Sequence, residues 1–228
     1  MKKIVISIIV VIAMAILIVG VSTQMQSGQK HQYKFWPQEI KLEGDVNVQR
    51  VFFSHSSDYG ITFSEPRDMS MTNFYAHEPK MIVMHDDVVL VWRDEVESDD
   101  IPTLSFAKST DFGETFEKKR LFFGARPDII YYDQTLYLTF AGLDLKHIWY
   151  SESQDGGETF SEPKLIFEVD WDLSPYEDRP TPTIEANADE IKITWRMQDK
   201  NNQNTIWNAV DKGKDGSFEI TSFIDNSE

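Results

Sequence analysis

The chain has 228 residues, with 22 Lys and Arg against 38 Asp and Glu for a formal net charge of −16, no cysteine, 41% hydrophobic and 13% aromatic residues. That composition is globular, and it excludes a disulfide framework, thiolate metal sites, cysteine nucleophiles and lipid-modified cysteines. A surface so acidic also speaks against nucleic acid as a partner, because a phosphate backbone needs a basic stripe.

In chain order, Lys2 and Lys3 precede a segment from Ile4 to Val21 that is apolar except for Ser7 and Gly20. It is just long enough to span a bilayer, and residues 1–23 are expected to be a signal-anchor with the lysines cytoplasmic. The alternative is a signal peptide cleaved near the small residues Gly20, Ser22 and Thr23, which would give a secreted domain. On either reading the folded part is exported, to the periplasm or the cell exterior. Residues 24–47 read as a linker and lead-in, with one or two strands between His31 and Leu42.

From residue 48 onward the sequence repeats. Ser56-Ser57-Asp58-Tyr59-Gly60-Ile61-Thr62-Phe63 recurs as Ser109-Thr110-Asp111-Phe112-Gly113-Glu114-Thr115-Phe116 and as Ser153-Gln154-Asp155-Gly156-Gly157-Glu158-Thr159-Phe160. A degraded fourth copy aligns ungapped from Asp211 to Phe218, with Gly213 at the Asp position and Asp215 at the Gly position. Pro79, Pro127 and Pro182 each precede an aromatic residue (Trp92, Phe140, Trp195) by 13 positions. Short runs rich in Val, Ile, Tyr and Trp lie between them around polar turns, and another leads into each motif, so each unit is predicted to hold four antiparallel strands. Four strands in a unit of about 50 residues make the blade of a β-propeller. The motif itself is predicted to be a hairpin loop: Asp and Ser accept from nearby backbone N–H groups, Gly supplies a positive φ, and the closing Phe enters the blade's core. Asp58, Gly60, Thr62, Asp111, Gly113, Thr115, Asp155, Gly157 and Thr159 are therefore structural.

These motifs resemble the Asp-box, or bacterial neuraminidase repeat, of sialidase-like β-propellers, over about residues 48 to 222. The resemblance implies an all-β, sialidase-like propeller over residues 48–228. A sialidase of this family has six blades, which would need roughly 300 residues at this period. The chain has room for about four, as a compact ring or as a partial ring completed by a partner or by self-association. Strand alternation places the Asp-boxes at one end and any ligand at the other, on the loops entering each inner strand and those joining second to third strands.

At that end the resemblance asks for an arginine cluster, a tyrosine nucleophile and an acid. Arg126 and Arg179 precede inner strands, Arg93 and Arg196 occupy matching places after Trp92 and Trp195, and Glu78 shares the register of Arg126. Tyr176 is the nearest tyrosine expected to be able to face the axis. The catalytic candidates are thus Arg126, Arg179, Tyr176 and Glu78, and the ligand-binding candidates Trp171, Arg93 and Arg196. The family's Arg-Ile-Pro signature is missing, with Arg126-Pro127 a partial echo. Three readings follow: a propeller that recognises glycan or protein, an exo-sialidase-type glycoside hydrolase, or an inactive remnant of a larger protein. No cofactor is expected. The five histidines show no paired ligand spacing, and Asp94, Glu95, Glu97, Asp99 and Asp100 read as a solvated acidic turn without a calcium-loop order, so no metal is expected either.

Overall fold

The computed structural model describes residues 30–41, 47–72, 74–95, 101–144, 146–169, 180–201 and 203–225. Among the described residues every regular element is a β-strand, and no helix is long and apolar enough to cross a membrane. The expected signal-anchor lies outside them.

Among the described residues fifteen strands form four antiparallel sheets in chain order. The first has three strands, β1 (Gln32–Lys41), β2 (Asn47–Ser56) and the short β3 (Arg67–Asp68). The second runs β4 (Ala76–Met84), β5 (Asp87–Glu95), β6 (Pro102–Ser109), β7 (Glu117–Phe123). The third runs β8 (Ala125–Tyr132), β9 (Thr135–Ala141), β10 (His147–Ser153), β11 (Lys164–Glu168), and the fourth β12 (Thr183–Ala186), β13 (Ile191–Gln198), β14 (Asn204–Asp211), β15 (Glu219–Ile224). The repeat thus delivers the expected four-stranded units. In the first sheet β2 and β3 take the places of β6 and β7, so β1 stands where β5 does and no described strand fills the innermost place.

Three apolar cores join the four sheets, one between each consecutive pair. Side chains alternate across a strand, so a sheet packed on both faces must be apolar at successive positions. On β5, Val88, Leu90 and Trp92 enter the first core while Val89 and Val91 enter the second. On β9, Leu136, Leu138 and Phe140 enter the second core and Tyr137 the third. The end sheets have the opposite pattern. On β13, Ile191, Ile193, Trp195 and Met197 face the third core, whereas Lys192, Thr194, Arg196 and Gln198 alternate with them. Among the described residues no core joins the fourth sheet to the first.

The Asp-box hairpins fold as one hydrogen-bonded unit repeated three times. The Asp58 carboxylate accepts from Ser56 Oγ (2.7 Å), Thr62 N (2.9 Å) and Thr62 Oγ1 (2.6 Å), and Ser56 Oγ accepts from Gly60 N (2.9 Å). Asp111 and Asp155 repeat the arrangement with Ser109, Thr115 and Ser153, Thr159.

Two expectations need correction here. The closing phenylalanine does not serve its own blade alone: Phe116 packs edge-on to Phe53 of the preceding sheet (4.9 Å between centroids), Phe160 to Phe106 (5.5 Å) and Phe218 to Tyr150 (5.1 Å). In the fourth copy the glycine position belongs to Gly216 rather than Asp215: Gly216 has φ +82° and donates its N–H to Asp211 Oδ2 at 2.6 Å, as the other box glycines donate to serine. Asp211, longer in reach than serine, spans the one extra residue before the glycine, and one residue fewer separates Gly216 from Phe218.

A basic side chain completes each junction. Arg67 donates to the carbonyls of Gly113 (2.6 Å) and Glu114 (2.7 Å) while lying over the Phe53 and Phe116 rings. Lys119 does the same to Gly157 and Glu158 beside Phe106 and Phe160, and Lys164 reaches the Gly216 carbonyl.

Candidate functional site

The end of the sheets opposite the Asp-boxes is built from the starts of β4, β8 and β12. Glu78 and Arg126 occupy equivalent places there, each directly before a proline. Both are non-glycine residues in the left-handed region, φ +55° for Glu78 and +54° for Arg126, and both sit where strand register slips, between His77 and Lys80 and between Ala125 and Asp128. A bulge re-aims side chains, and a left-handed conformation in a residue with a β-carbon costs about 1–2 kcal/mol, held only where the surroundings over-determine it.

These surroundings are a polar chain that crosses all four sheets. Glu78 Oε2 accepts from the backbone N–H of Arg126 at 2.6 Å, and Arg126 Nη1 donates to Thr181 Oγ1 at 2.9 Å. Thr181 is the residue before Pro182, so the three pre-proline positions are linked in order. Arg93 ties Glu78 (3.8 Å) to Glu95 (2.8 Å), and His77 lies between Glu95 (3.6 Å) and Gln49 of the first sheet (2.5 Å). Asp128 pairs with Lys80 (2.9 Å) and accepts from Ile184 N (2.9 Å). Burial holds the His77 imidazole below its ordinary pKa despite Glu95.

Of the residues singled out from the sequence, Glu78, Arg93 and Arg126 come together in this cluster. Arg196 does not: its Nε pairs with Asp225 at the far edge of the fourth sheet (2.8 Å). Arg179, Trp171 and Tyr176 lie outside the described residues. Sequence reasoning missed Gln49, His77, Glu95 and Thr181. The register that aligned Glu78 with Arg126 also aligns Thr181, and that was the available signal. The acidic turn needs correcting at Asp94, which is fully buried and accepts from Ser105 Oγ (2.5 Å) and Met71 N (3.3 Å). Burial pushes the Asp94 carboxyl above the usual carboxylate range.

Scans against family models and curated proteins find no match. Solved structures do match. The α-L-arabinanase of Penicillium chrysogenum complexed with arabinobiose aligns at TM-score 0.61 and 11% identity, over 86% of this chain and 64% of that one. The GH43_1 enzyme from Xanthomonas citri complexed with xylotriose aligns at 0.58 and 10%, over 90% and 73%. The α-L-arabinofuranosidase of Podospora anserina in complex with cellotriose aligns at 0.51 and 9%, over 84% and 63%. The chain has the β-propeller fold. It spans less than two thirds of the arabinanase and of the arabinofuranosidase. The likeness also overturns the sialidase assignment, since the propellers that match are five-bladed arabinanase and xylosidase types and not Asp-box sialidases. The Asp-box is a hairpin that locks sheets together, and such a hairpin is not proprietary to one family.

Proposed function

We propose that this chain is an exported propeller that recognises glycan through the cluster around Glu78, Arg93 and Arg126. The observation that carries this reading is the pair of left-handed, bulged pre-proline residues held at the same height on adjacent inner strands. Left-handed φ also recurs at the equivalent hairpin residues Tyr59 and Phe112, where it serves a turn; at Glu78 and Arg126 it coincides with bulges and with charged side chains that meet in one cluster. The cluster offers fixed donors from Arg93, Arg126 and Thr181 and fixed acceptors from Glu78, Glu95 and Gln49, which is what a ligand made of hydroxyl groups requires. Saccharides bound by the three propellers named above support the ligand class.

Among the described residues the carboxyl that burial raises, Asp94, is closed off from solvent and is not offered to a ligand. Export is supported by Lys2 and Lys3 ahead of the apolar Ile4 to Val21 segment, which would hold the domain at a membrane. An array of arabino-, xylo- and cello-oligosaccharides probed with the full chain tests the reading. Binding without release of reducing sugar is expected; absence of binding to every neutral oligosaccharide on the array overturns it.

A further inference from the structure

A second concavity lies between the outer strands of the second and third sheets, away from the pre-proline cluster. It is a groove of about 920 Å³, within the size range of small-molecule sites. Its walls are flat and apolar: Trp149, Phe122 stacked on Phe140 (5.6 Å between centroids), and the exposed Phe123 and Leu143, 64% and 46% accessible. Glycine keeps one wall low, because a β-carbon on Gly142 would stand 3.1 Å from Trp149 Nε1 and 3.1 Å from His147 Cβ.

The rims are charged. Arg120 lines one side, and the other carries Asp144 with His147, whose Nδ1 lies 2.8 Å from Asp144 and whose Nε2 lies 3.5 Å from Glu168. An acyl chain would meet the aromatic walls but make no hydrogen bond to these rim groups, whose remaining donor and acceptor capacity it cannot use. An acidic ligand would meet Asp144 and Glu168 on a chain of net charge −16. A neutral sugar satisfies both features, since its C–H faces stack on aromatic rings and its hydroxyls reach the rims. We propose that this groove is a carbohydrate site separate from the pre-proline cluster, taking a neutral oligosaccharide of more than one ring.

The experiment follows the indole N–H resonances of the full chain during titration with xylotriose and cellotriose, with Trp149 assigned through Trp149→Phe, and calorimetry run in parallel. The Trp149 resonance is expected to shift. Phe123→Ala, at an exposed position that leaves the fold intact, is expected to weaken that titration roughly three- to tenfold. Heat of binding with an unmoved Trp149 resonance overturns this site and leaves the pre-proline reading standing. No heat and no shift also overturns this site, while the oligosaccharide array decides the pre-proline reading separately.

Discussion

Gly113 and Phe53 belong to consecutive sheets, and a β-carbon on the glycine would stand 2.7 Å from the phenylalanine Cζ. Gly157 stands in the same relation to Phe106, at 2.5 Å, and both glycines have φ near +90° (+86° and +96°). The box glycine is thus required twice, by its own turn and by the neighbouring sheet's ring.

A graded series follows. Gly113→Ala and Gly157→Ala are expected to destabilise by about 2–4 kcal/mol, adding left-handed strain to overpacking against a buried ring. Gly60→Ala should cost less, because its neighbour is the flexible end of Gln32, and Gly213→Ala should be near neutral, since its φ is ordinary and the nearest atoms, of the Asp215 carboxyl, stand no closer than 3.4 Å. Urea denaturation midpoints order the four variants.

The cation at each junction acts through geometry as well as charge. Arg67→Ala should cost about 1–3 kcal/mol by leaving the Gly113 and Glu114 carbonyls without their donor. Arg67→Lys should recover most of this, since at the next junction the single ammonium of Lys119 reaches both the Gly157 and the Glu158 carbonyl. Thermal melts of the two variants separate the contributions.

Hydrogen bonds from the Thr62 and Thr115 hydroxyls, with those from backbone N–H and serine, hold the Asp58 and Asp111 carboxyls down to about 2. A pKa depressed in the folded state contributes stability above the unfolded value of about 3.9 and loses it as pH falls toward the folded value. Stability is therefore expected to drop between about pH 4 and pH 2. Asp111→Asn should flatten that part of the curve of unfolding free energy against pH.

Asp94 has the opposite sign. Its raised pKa means that the folded state binds the proton more tightly, so its ionisation opposes folding as pH rises above the carboxylate range. Asp94→Asn keeps an acceptor for Ser105 and removes the buried charge. The variant is expected to match or exceed the parent in stability at pH 7 and to lose that advantage toward pH 4, measured by denaturant midpoints at both values.

Much of the architecture is legible in the sequence because a hairpin signature and a proline-to-aromatic spacing both repeat. Their hydrogen bonds are local, and local patterns survive in one dimension. What joins the sheets is not local, yet it leaves a trace three residues before each box: Phe53, Phe106, Tyr150, then Asn208. In the fourth sheet Asn208 stands where the others have the aromatic. The same change shows in β13, where apolar and polar residues alternate instead of running together. The site was legible where register alone fixes it, at Glu78 and Arg126. His77, Glu95 and Gln49 enter it through bulges and a neighbouring sheet, and no spacing announces that. The family was misread because the box records how a hairpin closes and carries nothing about the chemistry at the opposite end.

The left-handed conformations at Glu78 and Arg126 give the site its own thermodynamic signature. Arg126→Gly relieves about 1 kcal/mol of strain while removing the guanidinium. It should leave stability at or above the parent's in denaturant titrations, whereas a purely structural arginine would show a net loss.

The most direct test of the account is the affinity of the full chain and of its Arg126→Ala variant for arabinobiose, xylotriose and cellotriose by calorimetry. At least one of these sugars should bind the parent, and the variant should bind it about tenfold more weakly with its melting transition preserved. Equal affinities in the two proteins, or no binding by the parent, would contradict it.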